Sequence, residues 1–243
     1  MKITLKFLIG IIITMLLCSC ASSKKVTYFQ DIDEKQNLTA FHNYEPKIKK
    51  DDKLSIIVSG PNKDVVTPYN NEKNTYIVDI NGYINFPVLG KIEVEGLTLQ
   101  QLSDKLTTEI SKDVKNPIIN ASFMNYKITV LGEVRAPGTY TMASERTTIL
   151  QALGLAGDLT LGAKRSDVLL IREIDGSYKH IRIDLRKSEI LSSPYFYLCQ
   201  NDVIYVAPTS SRTFSGSSQS SFIPIITSSL GLVVSLVALI LSN

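Results

Sequence analysis

The sequence is poor in the residues that build catalytic and metal centres. It holds three cysteines and two histidines in 243 residues. Cys18 and Cys20 close an apolar run near the amino terminus, which leaves Cys199 alone in the rest of the chain, so no intrachain disulfide is expected. Cys199 lies in Phe196-Tyr197-Leu198-Cys199 and is expected to be a buried apolar residue, not a reactive thiol. His42 and His180 do not belong to an H-E-x-x-H helix or to a Cys/His cluster, so no metal site is expected. His180 is expected to face solvent with Tyr178 and Arg182, opposite Ile181 and Ile183. A glycine-rich phosphate loop with its Lys-Ser/Thr is missing, and Gly154, Gly157 and Gly162 are too dispersed for a dinucleotide fingerprint. Asp51 and Asp52 are adjacent, and adjacent strand residues point to opposite faces, so they do not form a converging glycosidase pair. Charge surplus is missing too. The 26 basic residues nearly balance 23 acidic ones, and no basic block suggests nucleic acid. No catalytic residue, cofactor or metal is expected.

What the chain does have is apolar sequence near both extremities. Lys2 and Lys6 precede an apolar run over 7–17, the pattern of a secretory signal. Residues 222–242 contain no charged side chain. A helix needs roughly 20 apolar residues to cross a bilayer, so this stretch is expected to be one transmembrane helix. Pro224 falls in its first turn, where a missing N–H costs least. Ser228, Gly231, Ser235 and Ala238 step by three and four onto one face, which makes them candidates for close helix packing in lipid. Residues 20–43 are mostly polar and read as a tether. Residues 209–221 are Ser-rich and read as a linker.

Between these stretches the pattern predicts an α+β fold of two small modules, 44–126 and 127–208. In the first, Leu54, Ile56 and Val58 alternate as a strand. Residues 75–80 and 83–86 flank Asn81-Gly82, which predicts a hairpin with a type I′ turn. Thr98 and Gln101 have the spacing of a capping box, ahead of Leu99, Leu102, Leu106 and Ile110 at helical spacing. A strand with Ile119, Ala121 and Phe123 on one side follows. In the second module, Thr147 or Thr148 is expected to cap a short helix closed by Gly157. Strands over 166–174 and 178–185 meet at Asp175-Gly176, and a last strand covers 203–206.

Three sets of motifs match known families. Leu17-Cys18-Ser19-Cys20 resembles the lipobox of bacterial lipoproteins, which implies a signal peptide over 1–19 and lipid on Cys20. The absence of Asp beside Cys20 implies passage to the outer membrane. Asp79-x-x-Gly82-x-Ile84-x-x-Pro87-x-x-Gly90-x-Ile92, followed by Gly96-Leu97-Thr98, resembles the polysaccharide-export domain of Wza-like outer-membrane export lipoproteins. The entry segment, Tyr44 through Ile48 to Asp52 and Leu54, resembles that domain's opening, with Asp51 where the family usually has glycine. Val130-x-Gly132-Glu133-Val134-x-x-Pro137-Gly138-x-Tyr140, Leu153-x-x-Ala156-Gly157 and residues 202–206 resemble an SLBB β-grasp domain.

The resemblance implies a homo-oligomeric ring, lipid-anchored in the bacterial outer membrane with its domains in the periplasm. Such a ring would export capsular or exopolysaccharide and would work with an inner-membrane chain-length regulator or tyrosine autokinase. The small-residue face of 222–242 would turn either to the lumen or to a neighbouring helix. The alternative is a monomeric envelope lipoprotein that binds a periplasmic glycan through its β-grasp domain.

Overall fold

A computed structural model describes residues 26–32, 45–142, 144, 146–174 and 176–215, together with 222, 224, 225, 228, 229, 231, 232, 235 and 239. Two modules form, each with its own apolar core.

The first contains β1 (Lys53–Ser59), α1 (Lys63–Val66), β2 (Thr75–Ile77), β3 (Tyr83–Phe86), β4 (Gly90–Glu93), α2 (Leu99–Ile110) and β5 (Ile118–Phe123). β1 is the centre of an antiparallel sheet ordered β2-β1-β5. Its alternation buries Leu54, Ile56 and Val58 against Leu102, Leu106 and Ile110 of α2. The capping box forms as its spacing requires. Thr98 Oγ1 accepts from Gln101 N–H, and Gln101 Oε1 accepts from Thr98 N–H.

The hairpin read at Asn81-Gly82 needs correction. β2 pairs with β1, whereas β3 pairs with β4 in a separate two-stranded sheet, so the hairpin lies one element later. The turn itself exists, with Gly82 N–H donating to Asp79 O. Of the dipeptide only Gly82 has positive φ, so it is not type I′. The reason is Asp79, whose Oδ1 accepts from both Asn81 N–H and Tyr83 N–H. That local bonding bends the chain out of the first sheet. α1, capped by the Asn62 side chain, was not legible in the sequence.

The second module contains β6 (Lys127–Gly132), β7 (Gly138–Thr141), α3 (Ile149–Leu155), β8 (Ala163–Ile174), β9 (Ser177–Ile183) and β10 (Val203–Pro208). The strands form one mixed sheet ordered β7-β6-β10-β8-β9, in which β10 runs parallel to β6. Thr148, not Thr147, caps α3, and Gln151 completes a second capping box. Gly157, at φ +74°, closes the helix as its position predicts. The strands expected on either side of Asp175-Gly176 pair as a hairpin, with Ile174 opposite Ser177. Gly132 has φ +91°, and a Cβ there would stand 2.1 Å from the Val206 carbonyl oxygen. Only glycine lets β6 end against β10 in this way.

Within 209–221, Ser210–Ser215 forms a short helix, α4. All the described residues of 222–242 are helical. Among the described residues no helix is long and apolar enough to cross a membrane. The remainder of that segment, with Ala238, lies outside the described residues, as do Cys20 and His42.

Candidate functional site

The features that bear on function lie at the two ends of the second module. One end meets the first module. Phe123, at the end of β5, borders both cores and packs its ring 5.9 Å from that of Tyr126. Asp52 is buried here. Its Oδ2 accepts from Lys49 N–H (2.8 Å) and its Oδ1 from Gln200 Nε2 of the second module (2.7 Å). Lys49 Nζ donates to the Glu173 carbonyl (2.9 Å). Burial pushes the Asp52 carboxyl up to about 6, against the pull of the Lys49 N–H and its ammonium. Asp51 is exposed and holds φ +64°, a backbone conformation natural to glycine. The two carboxylates therefore diverge, as their adjacency implies. A cleft of about 280 Å³ opens at this junction, lined by Pro46, Lys49, Phe123, Arg172 and Gln200.

Behind the cleft lies a buried ion pair. Arg172 Nη2 stands 2.7 Å from Asp202 Oδ2, and Nε donates to the same carboxylate. Asp202 also accepts from Cys199 N–H, and Arg172 donates to the Tyr197 carbonyl. Burial raises the Asp202 carboxyl although Arg172 opposes it. The pair fastens the 195–202 loop to β8. Cys199 is half-buried rather than fully buried. His180 is exposed on β9, as its alternation predicts. The sequence did not reveal Asp52–Gln200 or Arg172–Asp202, because 148 and 30 residues separate the partners.

The opposite end gathers the segments that lead toward both apolar stretches. Residues 26–32, within the stretch read as a tether, lie on the second module. Phe29 N–H donates to Leu185 O, and Gln30 N–H to Arg186 O. Tyr28 hydroxyl donates to Asp158, and the Arg165 guanidinium sits over the Tyr28 ring. Ser188 N–H donates to Asp31 Oδ1. Thr209, where the chain leaves β10, donates its N–H to Gly162 O. Arg212 of α4 bonds Glu133, which also accepts from Thr160 hydroxyl, and these two contacts hold the Glu133 carboxyl below its ordinary range. β8 runs from this end, at Ala163, to the inter-module end, at Ile174, over twelve residues or roughly 35–40 Å.

Of the helix-packing candidates, Ser228, Gly231 and Ser235 are described, helical and exposed. Ser228 hydroxyl donates to Pro224 O (2.6 Å) and Ser235 hydroxyl to Gly231 O (2.9 Å). Both hydroxyls are thus satisfied within their own helix, which lowers the cost of placing them in lipid.

Comparison with known proteins agrees with this two-part construction. Residues 42–124 match the family model for polysaccharide biosynthesis/export protein, and residues 127–181 match the SLBB domain. The chain is similar to the EPS I polysaccharide export outer membrane protein EpsA of Ralstonia solanacearum, at 34% identity over 89 residues, 35% of this chain and 24% of that protein. The protein of the same name from Ralstonia nicotianae is 32% identical over 87 residues, 35% of this chain and 23% of its own length. The chain thus matches about a quarter of the length of these curated relatives.

Proposed function

We propose that this chain, a Wza-like polysaccharide export protein built of an export domain and an SLBB domain, forms an oligomeric channel that carries a polysaccharide across the bacterial outer membrane. The observation that carries this reading is the pairing of these two domains in one chain, in the order in which the sequence motifs place them. The similarity to proteins named for polysaccharide export and the outer membrane supports the substrate class and the location.

The physical design follows from the two ends of the second module. Lipid on Cys20 and a transmembrane helix over 222–242 would hold the chain to one bilayer. Residues 26–32 and 209–215 lie at the same end of the second module, so both attachments would leave toward one membrane surface. The first module, about one strand length away, would then point into the periplasm. Copies would close side by side around a water-filled path, with helices over 222–242 lining the outer-membrane part. Ser228, Gly231, Ser235 and Ala238 would let those helices approach closely. The protein would supply a path and no chemical energy. An inner-membrane chain-length regulator or tyrosine autokinase would deliver the polymer to the first modules.

Deleting the gene tests this reading. Loss of surface polysaccharide, with polymer retained inside the cell and export restored by the wild-type gene, is expected. Unchanged surface polysaccharide overturns the channel. A monodisperse monomer with saturable sugar affinity would instead establish a receptor.

A further inference from the structure

At the end of the second module where both attachments leave, the loop between α3 and β8 carries Leu161. It is 82% exposed, the most exposed of the large hydrophobic residues among those described. An isolated surface leucine is ordinary, but the setting of this one is not. Gly162 beside it meets the exit segment: its carbonyl accepts from Thr209 N–H, and a Cβ there would stand 2.9 Å from Arg212 Cγ. Asp158, three residues before it, holds Tyr28 of the entry segment. The loop that carries Leu161 therefore touches both segments that lead toward the apolar stretches. Five residues lie between Cys20 and Val26 and six between Ser215 and Phe222, so neither connection reaches beyond roughly 25 Å even if fully extended.

Three ion pairs at this end of the module share an orientation. Arg212 is 62% exposed while its partner Glu133 is 20% exposed. Lys164 over Asp167 and Arg186 over Asp184 follow the same order, with the cation outside and the carboxylate inside. Lys164, Arg165 and Arg186 also line a recess of about 350 Å³ with Ser210 and Ser211. An exposed leucine at the same end of the module as these outward cations fits an interface of acyl chain and phosphate headgroup.

We propose that Leu161 and the cations Lys164, Arg186 and Arg212 form a second membrane contact, in which the loop inserts into the bilayer surface and the cations meet lipid phosphates. The contact rests on the reading of 222–242 as a membrane segment. It would fix the second module upright on the bilayer instead of leaving it hanging on two tethers.

The sequence contains no tryptophan, so a single introduced indole reports one site. Full-length lipidated protein carrying Leu161→Trp, Tyr178→Trp or Phe222→Trp is reconstituted in phosphatidylcholine vesicles containing brominated lipid, with and without phosphatidylglycerol at about one third. Tyr178 is exposed at the inter-module end of β9 and serves as the distant control. At least twofold stronger quenching of Leu161→Trp than of Tyr178→Trp is expected, increasing with phosphatidylglycerol. Equal quenching of these two overturns the contact. If Phe222→Trp is strongly quenched at the same time, the membrane-segment reading survives that failure. If Phe222→Trp is not quenched, that reading fails, and the contact, which rests on it, falls with it. Quenching that does not respond to phosphatidylglycerol removes the cations from the proposal.

Discussion

Asp51 and Asp52 share a bend and face opposite consequences. Asp51 occupies φ +64°, where a Cβ is strained and glycine is not. Replacing it with glycine is expected to stabilise the fold by about 0.5–1 kcal/mol, measured by urea unfolding, because relief of strain outweighs the added freedom of the unfolded chain. Lower stability would mean that the aspartate side chain contributes more than its backbone costs. Asp52 is the reverse case, a carboxyl held in a buried junction and pushed up to about 6. The folded state then binds the proton more tightly than the unfolded chain does. The stabilisation is full below the unfolded value near 3.8 and is lost as pH rises through 6. The difference in stability between wild type and Asp52→Asn should fall by on the order of 2–3 kcal/mol between pH 3.5 and 7. A flat difference would show that Asp52 titrates normally. The entry motif warns of Asp51, because the resemblance puts glycine there. It gave no warning of Asp52, whose burial depends on Gln200 from the other module.

Among the elements, the most exacting is the junction of β8 with the loop before β10. Arg172 and Asp202 are both buried, with side-chain exposures of 7% and 1%. Truncating Arg172→Met leaves the Asp202 carboxylate without its counter-charge in a dry site. The expected loss is about 3–5 kcal/mol by denaturant unfolding. A double-mutant cycle with Asp202→Leu should recover part of that loss, and strict additivity would refute the coupling. Elements set by short-range chemistry were legible. Both capping boxes, the β8–β9 hairpin and the glycine closing α3 depend on partners within four residues. Pairing between sheets was not legible. Asn81-Gly82 carries the signal of a hairpin, yet β2 finds its partner in β1, far back in the chain. Tertiary pairing overrode a local preference that still shapes the turn. Residues 26–32 were misjudged for a related reason, since polar composition does not reveal the backbone bonds that fasten them to Leu185 and Arg186.

At the scale of the whole molecule, the two modules and their order were legible from motifs, because turn glycines and prolines fall at fixed offsets. How copies would meet was not, since an interface need leave no periodic mark in one chain. The small-residue face of 222–242 is the part of that interface the sequence does suggest. Replacing Ser228, Gly231 and Ser235 together with leucine should leave membrane insertion intact and shift the detergent-extracted protein toward smaller assemblies, as read by native gel migration. Unchanged assemblies would place the oligomer contacts in the folded modules instead. A channel requires that copies close around a hole, and electron microscopy of the purified, lipidated, full-length protein in detergent shows whether they do. Closed rings with a central opening along the long axis of the particle are expected. A uniform population of single copies would contradict the channel.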